Sequence, residues 1–151
     1  MTRCCSYKLI ESLPSTVIEK PNSIMRNAIV AAISAAEKSD AKYKVGCAIY
    51  SSAKKNHYLG WSSMKSHPLQ SKYADNPEKI YLHAEISALA KIRDADYSLD
   101  MAVIARKIKV GIAVSAPCDS CVRALIEFGV KSVLYYKNNN WLHAELIMRE
   151  S

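Results

Sequence analysis

The sequence predicts a three-layer α/β domain built on a mixed sheet. Three observations lead there. A helix and a β-hairpin are followed by helix, strand, helix and strand patterns, an order that needs parallel as well as antiparallel pairing. Half of the residues are hydrophobic and 23% are charged, which is a globular balance. The 151 residues suit one core, so the chain reads as a single domain, 1–151, with residues 1–21 as an N-terminal arm.

Beyond Pro21, Asn22 or Ser23 can cap a helix whose apolar positions Ile24, Ala28, Ala31, Ala32 and Ala35 recur at three- and four-residue spacing, to about Lys38. Its small alanine face suits close packing on a sheet. Residues 39–42 read as a turn, and 45–50 and 57–61 as strands flanking a polar turn at 51–56. The polar stretch 62–79, with Pro68 and Pro77, reads as a loop long enough to be functional.

A helix is expected from Ile80 to about Asp96, with Leu82, Ile86, Leu89 and Ala90 on one face. The apolar run 107–114 reads as a buried strand. Pro117 then opens a helix to Phe128, Gly129 stops it, and 130–136 form a strand. Residues 141–149 read as a short closing helix.

Composition narrows the function classes. No apolar run approaches the ~18 residues of a membrane span, so no membrane partner is expected. Residues 1–13 lack the apolar core of a secretory signal, which points to a cytoplasmic protein. The five cysteines, Cys4, Cys5, Cys47, Cys118 and Cys121, are odd in number and ill-spaced for a disulfide framework; they read as reduced thiols or metal ligands. A net charge of +7 favours phosphates or acidic surfaces as partners.

Two segments carry chemistry: His83-Ala84-Glu85 and Pro117-Cys118-Asp119-Ser120-Cys121, each opening a helix. Cys118 and Cys121 share a face of the first helical turn, where the helix N-terminus favours thiolates. One imidazole and two thiolates make three zinc ligands, and a catalytic site leaves the fourth position to water. His83 and Glu85 would diverge in mid-helix; at a helix start both can point past the end, with Glu85 toward that water. A redox Cys-x-x-Cys and a closed zinc site, with a fourth ligand from Cys47, His57, His67 or His143, are the competing readings.

His-x-Glu followed by Pro-Cys-x-x-Cys, at 83–85 and 117–121, resembles the zinc-dependent cytidine/deoxycytidylate deaminase superfamily, whose signature this is. The resemblance covers most of the chain, and the downstream text is more similar to the deoxycytidylate/tRNA-adenosine branch. It implies an α/β/α cytidine deaminase-like fold with roughly five strands. It also implies one catalytic zinc on His83, Cys118 and Cys121, Glu85 as proton shuttle, and the Ala84 backbone near the base. Where relatives place a sugar-contacting asparagine this chain has Ser62, and Asn76 is a possible substitute.

The substrate expected first is dCMP, deaminated to dUMP with release of ammonia. The runner-up is a cytosine or adenine in single-stranded DNA or RNA, favoured by the +7 charge and by aromatics able to stack on a splayed base, while lysines at 42, 44, 54, 55, 65 and 72 could meet either a 5′-phosphate or a polynucleotide backbone. The third reading is a catalytically silent zinc-binding assembly subunit. Relatives usually assemble, so a homo-oligomer is expected. A second His-Ala-Glu, at 143–145, lacks a following Pro-Cys-x-x-Cys and reads as packing or surface. Cys4 and Cys5 read as free thiols and Cys47 as a core residue.

Overall fold

A computed structural model describes residues 6–73 and 81–146. The segment before Pro21 contributes a short helix α1 (Lys8–Ser12) and a strand β1 (Ser15–Ile18). Next comes α2 (Ser23–Glu37), where the Asn22 side chain accepts the Met25 amide as an N-cap. The hairpin follows as β2 (Lys44–Ser51) and β3 (Asn56–Trp61).

The expected loop at 62–79 contains a helix, α3 (Pro68–Tyr73). The next helix, α4 (Ala84–Leu89), is much shorter than the 80–96 expected. At its start, Leu82 makes a bridge to Ser63 and is therefore extended. Past its end, the Asp96 carboxylate accepts the Ser98 amide and hydroxyl and the Ser51 hydroxyl, a local turn that competes with further helix.

The central strand is β4 (Leu99–Lys107), earlier in the chain than the 107–114 expected. Residues 108–111 form an exposed turn at Gly111 (φ 90°), and β5 (Ile112–Ala113) folds back on Arg106 and Lys107. Helix α5 (Asp119–Glu127) runs from the N-cap Cys118 to the C-cap Phe128, with Gly129 (φ 84°) ending it as expected. Strand β6 (Ser132–Lys137) follows.

The closing helix expected at 141–149 is instead a strand, β7 (Asn140–Glu145). Asn138 and Asn139 both take positive φ (53° and 62°), the pair of left-handed residues that closes a two-residue hairpin. Residues 147–149 of that expectation lie outside the described residues.

Among the described residues seven strands form one sheet, more than the roughly five expected. The order is β1-β7-β6-β4-β2-β3, with β5 beside β4; β4 and β6 are parallel and the other pairs antiparallel. Alternate residues feed two cores. Met101, Val103 and Ala105 of β4 face the alanines of α2, while Ala102 and Ile104 face α4 and α5. The α2 layer sits very close: a Cβ at Gly46 would lie 1.9 Å from the Ala32 carbonyl oxygen. No helix among the described residues is long and apolar enough to cross a membrane.

Candidate active site

Strands β3 and β4 both run antiparallel to β2, so their C-terminal ends share one end of the sheet. The chain passes from those ends toward the starts of α4 and α5, the place where α/β folds bind ligands. His83 is the N-cap of α4 (ψ 153°) and Cys118 the N-cap of α5 (ψ 167°), and neither side chain caps its own helix. Both are left to face each other across the two helix starts.

His83 Nδ1 lies 3.2 Å from Cys121 Sγ and 3.6 Å from Cys118 Sγ. One donor atom from each of the three residues falls within 4.8 Å of the others. Zinc bonds of roughly 2.0–2.3 Å at tetrahedral angles put donors about 3.3–3.8 Å apart, so the set fits one ion. Both cysteines are buried at a helix N-terminus, which favours thiolates, and the Ser120 hydroxyl adds a contact at 3.1 Å to Cys118 Sγ.

Glu85, in the first turn of α4, is only 5% exposed. Burial pushes its carboxyl above the usual range; Cys118 adds to the rise, while His83 and a hydrogen bond with Cys121 oppose it. The Cys47 thiol, wholly buried in β2, is pushed well up by burial and by the Glu85 carboxylate. Gly60 of β3 lets α4 lie directly on the strand: a Cβ there would fall 2.2 Å from the Ala88 nitrogen and 2.4 Å from the Ala84 oxygen.

A family profile, "Cytidine and deoxycytidylate deaminase zinc-binding region", matches residues 18–137. The chain belongs to this family. Among solved structures, the chain is similar to the cytidine deaminase of Burkholderia pseudomallei, with TM-score 0.58 and 20% identity over 80% of this chain and 91% of that one. A cytidine deaminase variant from Mycobacterium tuberculosis gives TM-score 0.56 and 15% identity, covering 80% and 89%. The dCMP deaminase of cyanophage S-TIM5 gives 0.49 and 22%, covering 76% and 82%. A search of curated proteins finds no match.

Ser62 is engaged locally. Its hydroxyl donates to the Tyr43 carbonyl at 2.8 Å, accepts the Val45 amide at 3.0 Å and meets the Ser39 hydroxyl at 2.8 Å. Ser62 thus ties down the loop between α2 and β2. Asn76, Cys4 and Cys5 lie outside the described residues. Cys47, His57, His67 and His143 are not in the metal-ligand group found among the described residues.

The lysines divide. Lys42 and Lys44 join Arg106, Lys107 and Lys109 around a cavity of about 540 Å³ that also holds Glu37. Lys107 pairs with Glu37 at 2.9 Å, and the Arg106 guanidinium stacks on the Tyr43 ring at 4.5 Å. The cavity lies at the same end of the sheet as the metal-ligand group. Lys54 instead turns to the Tyr58 hydroxyl in the hairpin.

Two supporting residues carried no signal in the sequence. Gln70 of α3, 2% exposed, accepts the His83 amide on Oε1 at 2.9 Å. Asp119, 8% exposed, reaches the N-terminal segment. One lay in a loop read only as polar, and the other was an unassigned position inside Cys-x-x-Cys.

Proposed function

We propose that the chain is a single deaminase domain that hydrolyses the exocyclic amine of a cytosine nucleotide, dCMP first, to give dUMP and ammonia. The observation that carries this reading is the convergence of His83, Cys118 and Cys121 from two helix starts on one metal-sized position, with Glu85 beside them. Those three side chains would hold zinc. Zinc, when bound in such a set, supplies Lewis acidity and lowers the pKa of water.

Glu85 does the proton work. Its carboxylate takes each proton that water gives up and delivers it to a nitrogen of the substrate. The water oxygen bonds to the ring carbon as the neighbouring ring nitrogen takes the first proton; the C–N bond then breaks as the exocyclic nitrogen takes the second, leaving as ammonia and a ring carbonyl. The Ala84 backbone stands beside the base, and Ser62 acts on the substrate by holding the 39–45 loop. Asn76 is retained as the candidate sugar contact.

The cationic pocket, whose lining includes none of His83, Glu85, Cys118 and Cys121, suits a substrate that carries phosphate well beyond its base. Five cations against one carboxylate exceed what a single phosphate needs, which favours a second reading, a base in single-stranded nucleic acid. One experiment separates them. Zinc-loaded protein is incubated with dCMP, cytidine, dCTP and single-stranded oligonucleotides while ammonia and base identity are followed. Ammonia from dCMP bears out the first reading. Reaction of oligonucleotides alone replaces it with the second, and zinc uptake without ammonia from any substrate removes both.

A further inference from the structure

We infer that Asp119 is a positioning residue that locks α1 onto the metal-binding turn, so that docking of α1 and retention of the metal are coupled. The coupling rests on the zinc reading above, whereas the contact itself does not. Asp119 opens α5 between Cys118 and Cys121, where a carboxylate ordinarily serves the free amides of its own helix. Here it is aimed elsewhere.

Its Oδ1 accepts the Leu9 amide at 2.8 Å, its Oδ2 accepts the Ser6 hydroxyl, and its own amide donates to the Ser6 carbonyl at 2.7 Å. Leu9 lies in the first turn of α1, where amides have no partner within the helix. The N-cap of α1, Tyr7, offers no side-chain cap. Asp119 therefore caps α1 from 110 residues away. A five-residue helix does not persist alone, so α1 depends on this cap and on Ile10, which is 2% exposed in the core.

The dependence runs the other way too. Asp119 places a carboxylate charge between the two cysteines on one helical turn. The Leu9 amide and Ser6 hydroxyl compensate that charge and fix the direction of the turn, which in turn sets the spacing of Cys118 and Cys121. Linkage is reciprocal: whatever α1 docking adds to metal affinity, the metal adds to α1 docking.

The test uses the full chain loaded with zinc, measuring zinc transfer to a chromogenic chelator and amide hydrogen exchange in α1. Asp119→Ala should speed zinc release about tenfold and remove α1 protection, and Asp119→Asn, which keeps an acceptor for Leu9, should restore most of both. Ser6→Ala leaves the metal-binding turn intact and should still speed release several-fold. Stripping zinc from the parent chain should raise exchange in α1. Zinc uptake with parental release rates in Asp119→Ala and Ser6→Ala overturns the coupling and leaves the metal site standing. A parent chain that takes up no zinc overturns the metal reading, and the coupling with it.

Discussion

The chain carries His-Ala-Glu twice, and the two copies differ in everything except composition. At 83–85 the triplet begins a helix, its histidine faces two thiols, and its glutamate is buried beside them. At 143–145 it lies in β7, where Ala144 is buried and Glu145 exposed. His143 is there opposite Leu134, on the side of the sheet that α2 covers. A helix start lets residues two apart converge beyond its end; a strand sends the middle residue one way and its neighbours the other. The chemistry belongs to the element that presents the residues.

That contrast can be broken at four points. Cys118→Ser should abolish zinc uptake and ammonia release together, while His143→Ala alters neither; metal content after dialysis and an ammonia assay decide. Glu85→Gln should keep the metal and lower turnover by ~10²–10⁴-fold, the range for loss of a general acid–base, while Glu145→Gln keeps parental turnover. Equal losses from the two glutamate variants would end the distinction.

Gln70→Ala should cost about 1–3 kcal/mol, since the His83 amide loses its buried acceptor, and should also speed zinc release; thermal melting and chelator transfer read the two effects. The smallest effect is expected at the turn that presents the second triplet. Asn138→Ala and Asn139→Ala, both at positive φ, should each lower stability by roughly 1 kcal/mol and leave zinc affinity unchanged.

What was legible from the sequence is what depends on local chemistry. The cap at Asn22, the alanine face of α2, the β2–β3 hairpin, the Gly129 stop and the residues of both motifs are all written in neighbouring positions. The misplaced elements turn on something farther away. Strand β4 is buried on both faces, so Met101 to Ala105 show no alternation, and only pairing with β2 and β6 makes them a strand. Beyond the end of helix α4, where the helix was expected to continue, Asp96 is tied to Ser51 of β2. Strand β7 is the local exception: the Asn138-Asn139 pair closes a hairpin, and it overrides the helix expected at 141–149. At the site, Gln70 and Asp119 act through partners distant in sequence, which no motif spacing records.

Gly60 bears on how this site could be re-engineered. Because α4 rests on bare backbone there, the height of His83 and Glu85 above the sheet is set from behind, by the strand beneath the helix. A library that randomised only the walls of the cleft would change its width and lining while its floor stayed where Gly60 puts it. A single methyl group at that glycine would lift the floor, and His83 with it, before any wall residue had changed.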